Sequence, residues 1–143
     1  METLHLIILI LHILGACLII GGIFSVLLLL QAKTVSKELM AKIMFLGQIS
    51  GKIMGVQLLT GIYLIASEPD EMAQNPYIGV KFVLFILAGL LIIPALKKHK
   101  QMIGTDGVPS DELVAAWRKS TFLRFALYVV IAVLGIVAVE MAA

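Results

Sequence analysis

The chain has 143 residues, 61% of them hydrophobic and only 14% charged, with a mean hydropathy of +1.08. That balance excludes an ordinary soluble domain and marks an integral membrane protein, for which no nucleic-acid partner is expected; the net charge is +2. Cys17 is the single cysteine, which rules out an internal disulfide and any cysteine-based metal motif.

Four apolar segments, 4–30, 43–66, 78–96 and 121–142, each approach the ~20 residues needed to cross a hydrocarbon core about 30 Å thick. Inside lipid every backbone group must be bonded within its own segment, so the spans are helices and the fold is all-α. The first segment follows Glu2 rather than basic residues and exceeds the length of a signal-peptide core. It reads as the first spanning helix and not as a cleaved leader.

That first helix contains "LILHILGACLIIGG" (residues 9–22), with one imidazole in an apolar run. His12, Gly15, Ile19 and Gly22 recur at helical spacing and share one face. The glycines leave room there for a close neighbouring helix or for a flat macrocycle. His12 has two readings: a neutral ring bonded to a polar group on another helix, or a ligand to a metal or haem iron. His5, one heptad earlier, reads first as an interfacial residue, and alternatively as a second ligand or a propionate partner.

The second helix reads "GQISGKIMGVQLLTG" (residues 47–61). Gly47, Gly51 and Gly55 form a row of small residues suited to helix contact, either in a homo-oligomer or in a larger membrane complex. Lys52 and Gln57 fall near mid-membrane. No carboxylate lies in any helix core to pair with Lys52, which leaves snorkelling, backbone carbonyls or an anionic ligand.

The third helix opens with "NPYIGVKFVLF" (residues 75–85). Lys81 lies about one turn inside, at a depth comparable to that of His12, and either snorkels to the headgroups or offers a lone pair in a dry pocket. The last connection holds a flexible "GTDGVP" and then "PSDELVAAWRKS". A short amphipathic segment, 110–119, is expected there, with Ser110 as its cap, Asp111 and Glu112 in its first turn and Trp117 at the headgroup level. Arg124 is placed at lipid phosphate near the start of the fourth helix.

Lys33, Lys37 and Lys42 lie in the first connection, and Lys97, Lys98, Lys100, Arg118 and Lys119 in the third. The second carries Glu68, Asp70 and Glu71 and no base. Basic loops stay on the cytoplasmic side. The expected architecture is a single domain, a polytopic, antiparallel four-transmembrane-helix bundle with both termini outside, in the cell (inner) membrane of a prokaryote. No phosphate-binding GxxxxGK[ST] loop, Ser–His–Asp set, buried acidic relay, facing histidine pair or Met-x-x-Met copper motif is present.

His12-Ile13 with Gly22, then Leu58-Leu59-Thr60-Gly61, then Lys81 give a pattern that resembles the HemJ-type protoporphyrinogen oxidases and their CopD-like and DUF2269-like relatives. The resemblance runs over nearly the whole chain. It implies a four-helix unit with b-type haem in the outer half of the bundle, held by His12 and Lys81, with Gly15 and Gly22 giving clearance. The chain departs from the oxidase pattern in three places. Ile19 stands where a tryptophan is usual, "IFSVLLLL" lacks the arginine that follows the glycine, and the fourth helix lacks an Asn-Glu-x-Pro element. The resemblance therefore implies a haem-binding redox or electron-transfer protein before it implies an oxidase. Two other functions fit the sequence: a non-catalytic accessory subunit docking through its glycine faces, and a CopD-like copper-handling protein using His5, His12 and nearby methionines.

Overall fold

A computed structural model describes residues 2–67, 69, 75–93, 97 and 108–142. The acidic loop residues Glu68, Asp70 and Glu71, and Lys98 and Lys100 of the basic connection, lie outside the described residues. The fold is all-helical: α1 (Glu2–Leu29), α2 (Lys37–Ser67), α3 (Pro76–Leu90) and α4 (Asp111–Ala142). Three of these, α1, α2 and α4, are long and apolar enough to cross a membrane, and α3 is a shorter apolar helix. Their outward faces carry large apolar side chains such as Leu59 and Ile136, 69% and 65% exposed. Lipid, not water, is the solvent such a surface requires.

Side-chain caps set where the helices begin. Ser36 Oγ accepts from Leu39 N at 3.2 Å, and Ser110 Oγ accepts from Leu113 N at 3.2 Å. Asn75 caps α3 by accepting from Tyr77 N, with Pro76 in the first turn, where its missing N–H has no bond to lose. Three boundaries differ from the sequence expectation. α2 starts at Lys37, because the Ser36 cap lets "KELMAK" join the helix as turns that bury Met40. The expected amphipathic segment 110–119 is the beginning of the 32-residue α4 and not a separate piece. The third span, expected to reach residue 96, stops as a regular helix at Leu90, and 94–96 lie outside the described residues. Pro94 has no N–H to return to the Leu90 carbonyl, and Ser120 Oγ donates to the Leu91 carbonyl at 2.6 Å.

α1 packs on α2 and α4, and α3 packs on α4. Contacts between α1 and α2 match rising α1 numbers with falling α2 numbers: His5 with Ser67, His12 with Thr60 and Gly22 with Ser50. Two apolar clusters fill the interior. One joins the end of α1 to the starts of α2 and α4 through Val26, Leu30, Met40, Ile43, Leu113, Val114 and Trp117. The other lies further along the bundle and joins Ile19, Ile23, Ala88 and Tyr128, with Phe85 edge-on to Tyr128 at 5.9 Å.

Two side chains expected at the membrane interface point inward. Trp117 is 3% exposed and belongs to the first cluster. Arg124 is 6% exposed, and its guanidinium contacts Met54 Sδ at 4.0 Å instead of reaching lipid phosphate. Both share the face of α4 that carries Leu113, Val114, Thr121 and Tyr128, and this inward rotation decides their environment. On α4 the exposed basic pair at this end is Arg118 and Lys119. Arg118 donates to the Leu30 carbonyl from Nε at 3.2 Å and from its terminal nitrogen at 2.7 Å, which satisfies an acceptor left open at the end of α1.

Close packing at the first cluster predicts a sharp contrast between two leucines. Leu113→Ala should lower the unfolding free energy of the detergent-solubilised protein by about 2–4 kcal/mol. Leu59→Ala, on the outward face of α2, should change it by less than about 0.5 kcal/mol. Denaturant titration followed by circular dichroism measures both.

Candidate functional site

The site starts from one polar side chain that the sequence places in an apolar helix. His12 faces α2, and both of its ring nitrogens are bonded there. Nδ1 lies 2.9 Å from Thr60 Oγ1 and Nε2 lies 3.0 Å from the Gln57 amide nitrogen. The donors and acceptors order themselves. The Gln57 amide nitrogen donates to Nε2, so the ring carries its proton on Nδ1 and donates it to Thr60 Oγ1. The Thr60 hydroxyl in turn donates to Val56 O at 2.9 Å or Gln57 O at 3.1 Å. The ring is neutral, with a defined tautomer, and held by a partner on its far nitrogen. The Nδ1–Thr60 bond is the kind of support that orients a ring whose other nitrogen binds a ligand, but here Nε2 is engaged by Gln57.

The "LLTG" motif acquires a physical reason from this geometry. Thr60 accepts the ring proton. Gly61 lets the ring lie against α2, because a Cβ there would sit 3.2 Å from His12 Cε1. Sequence spacing marks both residues as a motif but gives no hint that they serve His12.

Gly15 and Gly22 do lie on the His12 face, and α2 uses the room they leave. A Cβ on Gly15 would collide with Gln57 Oε1, and one on Gly22 would stand 2.9 Å from Ser50 Oγ. Neither glycine lines the cavity described next. Their clearance serves helix–helix contact, so it is not room held for a macrocycle. Gln57 is buried, and its Oε1 has no hydrogen-bond partner.

Beyond His12 the helices part to form a cavity of about 380 Å³. Its polar lining is His5, His12, Gln57 and Lys81. Its apolar walls include Leu9, Ile62, Ile65, Ile78, Phe82, Phe85 and Ile131, so all four helices contribute. The structure therefore brings His12 and Lys81 to the wall of one cavity. His5 stands at the edge, its Nδ1 3.4 Å from Ser67 Oγ. Lys81 passes close to α4 at Gly135, where a Cβ would meet Nζ at 3.1 Å. Gly135 is part of the site that sequence reasoning did not single out, because a glycine in an apolar helix carries no sign of its distant neighbour.

Among the described residues no group of three or more His, Cys, Asp or Glu side chains is placed to hold a metal ion. The donors available in the cavity are the two imidazoles and the Lys81 amine. Gly47, Gly51 and Gly55 have open space beside them and contribute nothing to this site. No protein-family model matches the sequence, and no curated protein and no solved structure matches it either.

The two kinds of glycine should respond differently to the same change. Gly15→Ala should drive the Gln57 amide from its place and destabilise the protein by about 1–3 kcal/mol. Gly55→Ala, beside open space, should be neutral or stabilising by up to about 1 kcal/mol through helix propensity alone. Parallel unfolding curves in the same detergent decide the matter.

Proposed function

We propose that the protein is an integral membrane b-type haem-binding protein of redox or electron-transfer function. In this reading His12 and Lys81 are the residues that would hold the haem iron. The four helices cross the membrane as an antiparallel bundle, with both termini and the cavity on the outer side of a prokaryotic inner membrane. One observation carries the reading: His12 and Lys81, on different helices, line the same apolar cavity.

The donor set suits the group. An imidazole that keeps its Nδ1 proton on Thr60 has its lone pair at Nε2, where it now accepts from the buried Gln57 amide, and that amide would have to turn away for Nε2 to hold iron. Among the described residues Lys81 and His5 are the other strong nitrogen donors on the cavity wall, and His5 lies beside Ser67 at 3.4 Å. Haem bound there would supply one-electron chemistry. The protein's own contribution is to fix the plane of the His12 ring through Thr60, to keep water from the ring with Phe82, Phe85 and Ile131, and to set the reach of Lys81 with Gly135. The basic residues Lys33, Lys37, Lys42, Arg118 and Lys119 support the orientation, because they gather at the end of the bundle away from the cavity.

An optical spectrum of protein purified from haem-replete cells tests the proposal. We expect a Soret band that is lost in His12→Ala, altered in Lys81→Ala and unchanged in Lys52→Ala, whose side chain lies outside the cavity. A purified wild-type protein with no Soret band would overturn the reading.

A further inference from the structure

Lys52 is the middle residue of the 31-residue α2, about 22 Å from either end of the helix at 1.5 Å per residue. It is exposed on the outward face of the bundle and makes no hydrogen bond or ion pair among the described residues. Gln48, one turn earlier, is exposed on the same face, and Phe45, Gly55, Val56 and Leu59 continue that face along α2. The apolar members suit lipid, but the lysine and the glutamine do not. A four-carbon stem cannot carry an ammonium from mid-helix to a headgroup layer about 15 Å from the centre of the hydrocarbon core. A charge at that depth normally faces protein and has a partner of opposite sign.

We infer that the Gln48–Lys52–Gly55 face of α2 is a docking surface for a transmembrane helix of a different chain, one that presents an Asp or Glu carboxylate at the depth of Lys52. Charge complementarity identifies the occupant. The nine acidic residues of this chain are Glu2, Glu38, Glu68, Asp70, Glu71, Asp106, Asp111, Glu112 and Glu140. Those within the helices fall at or near helix ends, at Glu2, Glu38, Asp111, Glu112 and Glu140, and none is central. A second copy would therefore bring another Lys52 and no counter-charge, so self-association through this face is disfavoured. Gly51 and Gly55, with nothing within 4 Å of an added Cβ, let the partner helix approach closely enough for its carboxylate to reach the ammonium. This inference does not rest on the ligand of the cavity, which Lys52 does not line.

Photo-cross-linking of the full chain in its own cell membranes tests it. A benzophenone amino acid replaces Val56, one turn from Lys52 on the same face. The expected product is an adduct with another polypeptide whose cross-linked span contains Asp or Glu. Its yield should fall about tenfold in Lys52→Leu and persist in Lys52→Arg. Changing the partner's acid to its amide should give the same loss. Lys52→Leu removes an exposed side chain that makes no hydrogen bond or ion pair among the described residues, so its unfolding curve should match that of the wild type and show that the loss is not misfolding. Adducts with only a second copy or with lipid, a partner without a carboxylate in its span, or an adduct indifferent to Lys52→Leu would each overturn the inference.

Discussion

Hydrogen bonding across the α1–α2 contact governs the half of the bundle that holds the cavity. An imidazole placed in lipid must find partners within the protein, and here it finds two on one neighbouring helix. Those two bonds fix the rotation of α1 against α2. They require Gly61 where the ring lies, Gly15 where the Gln57 amide lies, and Gly22 where Ser50 approaches. The cavity then follows. Once α1 and α2 are joined so closely, the remaining space lies between that pair and the α3–α4 side, where Lys81 enters.

The other half of the bundle is held differently. There the contacts are apolar and interlocking, around Leu30, Ile43 and Leu113, and Arg118 closes the end of α1 by donating twice to the Leu30 carbonyl. Arg124 and Tyr128 lie between the halves. Both are nearly fully buried, and each keeps a polar atom without a hydrogen-bond partner, Nε in one and the hydroxyl in the other. Polar side chains therefore recur along the axis of the molecule, and they concentrate where α1 meets α2.

Much of this was legible in the sequence, and what was not has a common physical cause. Composition and segment length gave the helices, and the lone His12, Gln57 and Lys81 stood out because lipid makes polar groups conspicuous. Helical spacing correctly put Gly15 and Gly22 on the His12 face. Spacing within one helix carries no information about what faces it, so the pairing of His12 with Thr60 and Gln57, and the use of both glycines by α2, became visible only with the neighbouring helix in place. Trp117 and Arg124 show the same limit. Residue type and depth suggested an interface, whereas rotation about the helix axis put both inside. α1 is apolar almost all round, so its hydrophobic pattern alone has no stripe to show which side turns inward, and only His12 with its glycines marks a face.

The spacing of the His12 bonds also bears on biogenesis. The partners of His12 lie 45 and 48 residues further along the chain. In a chain inserted as it is made, at about 5–20 residues per second, Gln57 and Thr60 emerge roughly 2–10 s after His12. During that interval the imidazole must be sheltered by the insertion machinery or held near the headgroups. Arrival of the second helix relieves it, so α1 and α2 form the first unit of assembly, and a polar bond rather than an apolar contact marks its completion.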